Sequence, residues 1–324
     1  MQSEPMDPPI DLPADDEVRP PPPEAAPDGP GASPETPSVT QACCGCGCGA
    51  TGGAASAGGH DGAAAESAGP GYVYVLGRVR AVFPDISVQR EFGQVAGEAK
   101  QADATDADAL YRVLTDPENR YIARQMCYVL SVQGVDTYLL EPADPMELPE
   151  LLEALRPIAD QRDLAVIVGY LGPVAPPGAC QGLSVPVVRV EKIWAFDSKE
   201  LIQAIERPAG ASRKDFEKAA GALLDRMLQL SDNAGTGPAD RALNYLTVRN
   251  QEIYQKTNEE YGEGYALSAV EAVPSRLSGA QTVITAIFSY THRQTNVTEK
   301  WSVRVGVDGL FPYPVTPLQT YYNR

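Results

Sequence analysis

Histidine is nearly absent from this chain: His60 and His292 are the only two among 324 residues. No HExxH, GxSxG or phosphate-binding loop occurs, so the commonest hydrolase and nucleotide signatures are missing. Gly169–Gly172 (GYLG) follows an apolar run and invites comparison with an anion cradle. The proline-rich continuation offers no helix N-terminus to complete such a site. Positive charge is also scarce, with 26 Lys and Arg against 43 Asp and Glu and a formal net charge of −17. A chain this acidic repels phosphate backbones, so nucleic acid is not an expected partner. No basic amphipathic strip suits an anionic membrane, and no apolar run approaches the length of a span.

Residues 1–30 have neither a basic stretch nor an apolar core, so no signal peptide is expected and the cytoplasm is the expected compartment. Beyond residue 70 only Cys127 and Cys180 remain, both in apolar surroundings. In a chain without targeting these are expected as free buried thiols rather than a disulfide.

What the chain has in excess lies at its start. Residues 1–40 are rich in Pro, Asp and Glu, and residues 45–71 are Gly, Ala and Ser with His60. Residues 1–70 carry eleven acids and one Arg. Neither stretch holds enough apolar area to offset the entropy of ordering, so a disordered tail is expected. Inside it residues 43–49 read CCGCGCG, placing Cys43, Cys44, Cys46 and Cys48 together. Structural zinc sites favour Cys-x-x-Cys, which this spacing is not, although flexible glycine could let several thiolates wrap a soft metal. Redox tethering, a peptide segment that is itself modified, and an inert low-complexity tail are the other readings.

From Gly71 onward the pattern is that of a folded body of 254 residues, long enough for one large domain or for two intimate parts, 71–210 and 211–324. Tyr72 to Val79 alternates as a strand. Helices are expected over 87–98, 105–115, 145–156, 198–206, 211–231 and 238–250. The best of them, 211–231, carries Phe216, Ala219, Leu223, Met227 and Leu230 on one stripe. Ser212 is its N-cap, with Asp215 three residues on. Met126 to Val132 and Thr137 to Leu140 form a hairpin around Gln133-Gly134. Leu164 to Tyr170 and Val185 to Val190 are strands, and 171–182, dense in Gly and Pro, reads as a loop. Residues 251–261 are polar and aromatic with no assigned element. Tyr265 to Pro274, Thr282 to His292 and Lys300 to Val307 are consecutive strands, and Phe311 to Val315 could close their sheet. Three late strands without intervening helices favour an α+β fold with antiparallel sheets and packed helices over a doubly wound one.

Few residues invite a functional reading. His292, in YTHR near a strand end, could act as a general base with Asp240 or Glu299. The plainer expectation is a strand-end histidine bonded to backbone or to a carboxylate. Arg120, Arg124, Arg241, Arg249 and Arg293 interrupt apolar segments, where arginine usually pairs with a carboxylate. They are expected in structural ion pairs, with binding of a peptide carboxylate as the alternative. Asp232 and Asn233 are expected to cap the preceding helix from its C-terminal side, with Gly235 supplying a positive φ.

Long idiosyncratic segments carry a family resemblance. Among them are YVYVLGRVRAVFPDISVQREF at 72–92, NRYIARQMCYVLSVQGVDTYLLEP at 119–142, SDNAGTGPADRALNYLTVR at 231–249 and IFSYTHRQTNVTEKWSVRVGVDGLFPYPVTPL at 287–318. Through these the body resembles the non-catalytic C-terminal region of PatG-like cyanobactin maturation proteins over nearly all of 72–324. The resemblance implies an accessory role beside catalytic domains in ribosomal peptide maturation. It implies no cofactor and no catalytic residues, because the subtilisin-like protease that precedes this region in the family cannot be mapped here. The expected partner is a precursor peptide or a peptide-tailoring enzyme, met through a sheet edge or a groove. A homodimer is compatible with a body that has sheet edges to protect. Two rival readings follow from the residues: a peptide-modifying enzyme using His292, and soft-metal or redox handling by the cysteine-rich tail.

Overall fold

Tyr72–Val82 (β1) is apolar on both faces, and the computed structural model shows why. The side chains of Val73 and Val75 enter one core, and those of Tyr74 and Leu76 enter another. A strand buried on both sides reads as a continuous apolar run. The structure describes residues 71–99, 106–157, 160, 162–276 and 279–322. The tail with Cys43, Cys44, Cys46 and Cys48 lies outside the described residues.

The first half is a closed five-stranded barrel. It is built from β1, Cys127–Val132 (β2), Val135–Pro142 (β3), Leu164–Val174 (β4) and Pro186–Phe196 (β5), in the order β1-β2-β3-β5-β4. All neighbours are antiparallel except β3 and β5. Closure leaves no free edge, the most complete protection a sheet can have. The β2–β3 turn falls at Gln133 and Gly134, both at positive φ as such a tight turn demands. Four helices, Ile86–Ala99 (α1), Asp106–Thr115 (α2), Arg120–Ala123 (α3) and Leu148–Glu153 (α4), join the barrel core through Val88, Leu114, Ile122, Leu148, Leu151 and Leu152.

The second half layers helices on a sheet. Ser198–Ala204 (α5), Arg213–Leu230 (α6), Pro238–Arg249 (α7) and Gln251–Gly262 (α8) precede Tyr265–Pro274 (β6), Val283–His292 (β7) and Thr298–Gly306 (β8). The short strands Tyr313–Pro314 (β9) and Gln319–Thr320 (β10) both pair with β8, and β6 stands at the opposite side of the sheet. Phe216, Leu223 and Met227 of α6 meet Phe288 and Tyr290 of β7 and Val303 and Val305 of β8 in one core. Each such side chain, taken fully out of water, contributes about 1.5–3 kcal/mol. Ser212 caps α6, its hydroxyl oxygen accepting from the Asp215 amide at 3.1 Å. This α+β architecture of two mostly antiparallel sheets with packed helices is the expected fold class.

Four expectations need correction. Cys127 and Cys180 are not free thiols. They form a disulfide whose Cα atoms stand 5.9 Å apart, tying the start of β2 to the loop between β4 and β5. Linear sequence does not show that these two residues, 53 positions apart, converge on one apolar cluster with Val129, Leu139 and Ala175. Next, 171–182 is not all loop, because β4 runs on to Val174. The ladder is irregular between Leu171 and Val174, a place where Pro173 is tolerated. Residues 251–261 form α8, capped by the Asn250 side chain, which accepts from the Ile253 amide at 3.1 Å. The buried face of α8 includes Thr257 and Glu260 beside Ile253 and Tyr254, so its apolar stripe is half polar in sequence. Finally, Phe311 to Val315 supplies only the two residues of β9 to the sheet.

Candidate functional site

The two halves meet along α7. Tyr74 and Leu76 of β1 pack with Trp194 and Phe196 of β5, Tyr245 and Val248 of α7, and Leu228 of α6. Polar groups fix this joint. Asn244 is fully buried and donates to the Tyr74 carbonyl at 2.8 Å and to the Asn233 side chain at 3.0 Å. Asn233 donates to the Leu230 carbonyl at 2.9 Å, closing the end of α6 as expected, and accepts from the Gly235 amide at 2.8 Å. Gly235 has φ 66° and takes the Tyr74 amide on its carbonyl at 2.9 Å. Asp232 faces outward and accepts from Gln133 in the β2–β3 turn.

Arg241 departs from the expected ion pair. It is 4 % exposed, and its guanidinium donates to the carbonyls of Val307 at 2.5 Å, Gly309, and Leu310 at 3.0 Å. Its charge lies 5.2 Å from the centre of the Tyr72 ring. Burial pulls its pKa down, and Tyr72 and Asp308 oppose that pull. Arg241 therefore clamps the loop after β8 onto α7 and is closed to ligands.

His292 ends β7 and is half-buried. Its Nδ1 accepts from the amides of Thr295 at 3.1 Å and Gln294 at 3.3 Å, so it holds the β7–β8 turn. A Cβ on Gly264 would stand 3.2 Å from Nε2, and the Tyr265 ring packs edge-on at 5.0 Å. Neither proposed carboxylate bonds to it: Glu299 accepts from the Tyr265 hydroxyl at 2.9 Å, and Asp240 lies in the first turn of α7. Arg293 sits 5.7 Å from the Tyr261 ring centre, and its amide donates to the Gly264 carbonyl. Arg120 and Arg124 are exposed on α3 and at its end. None of the five arginines forms an ion pair with a described residue; the two on α7 and the one just after β7 find carbonyls or aromatic rings instead.

Arg249 is an exposed arginine of the five that stacks on an aromatic ring. It is exposed at the last turn of α7, with its guanidinium carbon 4.6 Å from the centre of the Trp194 ring. It borders a cleft of about 450 Å³ walled by Tyr245, Asn250, Pro314, Val315 and Pro317. Glu252, the one carboxylate on the cleft wall, accepts from the Leu318 amide at 2.8 Å. Burial holds the Tyr74 hydroxyl far above its usual range, and the positive charge of Arg249 works against that rise. Burial also raises Tyr245, again opposed by Arg249. The arrangement is a cation on an aromatic ring beside an open cleft of mixed polar and apolar lining, a geometry that can receive a carboxylate.

A larger cleft of about 790 Å³ lies where β1, the β2–β3 turn and the end of α6 converge. Its polar groups are already engaged: Ser131 donates to the Arg78 carbonyl, Gln133 to Asp232, and Asp225 pairs with Arg162 at 2.7 Å. Among the described residues no group of three or more His, Cys, Asp or Glu side chains is placed to hold a metal. No described helix is long and apolar enough to cross a membrane. Sequence reasoning singled out Arg249 and set Tyr245 on the same helix face, but missed Trp194, its neighbour in space. An aromatic in a distant aliphatic segment carries no pairing information.

A closed barrel followed by a helix-backed sheet is the class of protein these features define. The chain belongs to the PatG domain family: the PatG Domain model matches residues 72–236, and the PatG C-terminal model matches residues 210–321. A solved structure titled "PatG Domain of Unknown Function" is similar in fold, with a TM-score of 0.64 at 18% identity. The match covers 78% of this chain and 99% of that one. No curated protein matches.

Proposed function

We propose that this chain is a non-catalytic binding protein in the maturation of ribosomally made, cyanobactin-like peptides. It takes a carboxylate-bearing segment of a precursor peptide or tailoring enzyme into the Arg249 cleft. The observation that carries this reading is the exposed guanidinium, oriented by Trp194 and without a carboxylate partner among the described residues. Tyr245, Val315 and two prolines give the cleft apolar walls for the residue that bears the carboxylate. The family membership and the engagement of His292 by its own turn support a role without catalysis.

The test compares the tripeptide acetyl-Gly-Ala-Tyr as free acid and as amide, by calorimetry on the full chain. The acid is expected to bind at least about tenfold tighter, equivalent to about 1.4 kcal/mol. Arg249→Ala should erase that preference. Arg249→Lys should keep only part of it, because a point charge on a flexible stem does not reproduce the ring-stacked planar fork. Equal affinity for acid and amide in the native protein would refute the proposal.

A further inference from the structure

Among the described residues β6 is the long strand with an unpaired edge, since the barrel is closed and β8 is flanked by β9 and β10. Which of its backbone groups face that edge follows from the hydrogen bonds at its two ends. The Arg293 amide donates to the Gly264 carbonyl, and the Ser275 amide donates to the Val283 carbonyl. These bonds make Tyr265↔His292 and Pro274↔Ile284 non-hydrogen-bonded pairs. Counting inward, Val270 and Ala272 point their N–H and C=O groups away from β7, toward the open edge. The register shift between Leu267 and Ala269 makes Ser268 the extra residue of a bulge. Five residues, Ala269 to Val273, therefore remain as a regular docking edge, with the bulge on one side and Pro274 on the other.

The side chains across this edge are not neutral. Val270 and Ala272 pack toward the helix-covered core. Glu271 lies between them on the other face, exposed. Consider a second copy of β6 adding across a two-fold axis. The register that bonds Val270 to the partner's Ala272 sets Glu271 directly opposite its own image. This is a non-hydrogen-bonded pair, where side chains come closest and like charges repel. A shift of two residues in total register brings either the Ser268 bulge or Pro274, which has no N–H, into the ladder. Every two-fold register centred on the regular stretch is thus obstructed.

We propose that the β6 edge accepts a foreign extended segment and discriminates by charge. The preferred occupant is an antiparallel strand with Lys or Arg opposite Glu271 and apolar residues opposite Val270 and Ala272. Self-pairing through this edge is disfavoured by the same carboxylate in the central register and by the bulge or Pro274 in the shifted ones. The site is separate from the Arg249 cleft and stands or falls independently of it.

The experiment uses the full chain and two blocked nine-residue peptides of alternating Thr and Val, one with Lys and one with Glu at the centre. Amide hydrogen exchange reads Val270 and Ala272 directly. At saturation the Lys peptide should slow both amides at least tenfold, and the Glu peptide should leave them unchanged. Glu271→Lys should reverse the preference. Glu271→Thr should remove it and allow a dimer by sedimentation equilibrium in which the same two amides are protected. Protection by neither peptide, protection indifferent to the central residue, or a native dimer that already protects Val270 and Ala272 would each overturn the proposal. Loss of acid-over-amide preference in the tripeptide assay would leave these outcomes unaffected.

Discussion

Breaking the Cys127–Cys180 bond should destabilise the protein more than any single side-chain change at the surface. The bond spans 53 residues of chain that include β3, α4 and β4. In the chain-entropy description, closing a loop of that size removes enough freedom from the unfolded ensemble to contribute about 4 kcal/mol. That is roughly a thousandfold in the folding equilibrium. For a body of this length it corresponds to a fall of about 8–16 °C in the thermal midpoint. Both sulfur-bearing residues are under 10 % exposed and rest on Val129, Leu139 and Ala175, so native packing should persist after reduction while the margin shrinks. The assay is urea unfolding of a full chain with Cys43, Cys44, Cys46 and Cys48 replaced by Ser, with and without a dithiol reductant. The chain has two tryptophans, Trp194 on the barrel and Trp301 on the second sheet, and single-tryptophan variants report each half. The barrel reporter should lose stability on reduction at least as much as the sheet reporter. An unchanged midpoint, or two titratable thiols in denaturant without reductant, would refute the reasoning.

Three further changes test the joint between the halves, a permissive control site and a carboxylate support. Gly235→Ala puts a residue at φ 66°, which costs about 1–2 kcal/mol, and its Cβ would overlap the Tyr74 carbonyl and part the Tyr74–Gly235 backbone bond. A total loss of about 2–4 kcal/mol is expected by thermal denaturation. Gly262→Ala, at the open end of α8, should change stability by less than about 1 kcal/mol. Burial pushes the Asp163 carboxyl up, but the amides of Ser198 and Asp160 and the Ser198 hydroxyl outweigh it and hold its pKa below the usual carboxylate range. A lowered folded pKa means stabilisation that is complete above the unfolded value, about pH 4, and lost as pH falls through the folded one. Asp163→Asn should therefore cost about 1–2 kcal/mol at pH 7, with the gap to the native protein closing in acid. A gap that stays constant from pH 7 to pH 2 would contradict this.

Elements that announce themselves locally were legible. The stripe and cap of α6, the β2–β3 hairpin and the strands β6 and β7 follow from side-chain period, capping chemistry and turn residues. Features made by distant contacts were not. Barrel closure depends on the parallel pairing of β3 with β5, separated by α4 and β4, and no local pattern marks it. The polar half of the α8 face hid its helix, because Glu260 is buried beside Lys256, which reaches it at 3.1 Å while lying over Trp301. At the candidate site the arginines were visible as misfits in apolar segments. Their partners were not, since carbonyls and rings leave no complementary charge in the sequence. Arg249 and Trp194, 55 positions apart, illustrate the limit: each is an ordinary residue until the fold lays one upon the other.

The composition of the Arg249 cleft bears on the proposed recognition role. Its walls contain no histidine, cysteine or lysine. The hydroxyl of Thr316 accepts from the Arg304 amide at 3.1 Å, and one oxygen of Glu252 accepts from the Leu318 amide. Tyr74 and Tyr245, next to the cation, are kept protonated by burial, and arginine keeps its charge at every physiological pH. A general base must change its protonation state near the working pH, and tyrosines raised by burial do not. What the arginine provides instead is a constant positive charge at a constant place. The placement is set by Trp194 on the barrel and by α7, which the Asn244–Tyr74 bond locks to β1. A ligand that neutralised Arg249 as proposed would meet walls from the second half alone, beside a guanidinium placed by Trp194 of the barrel.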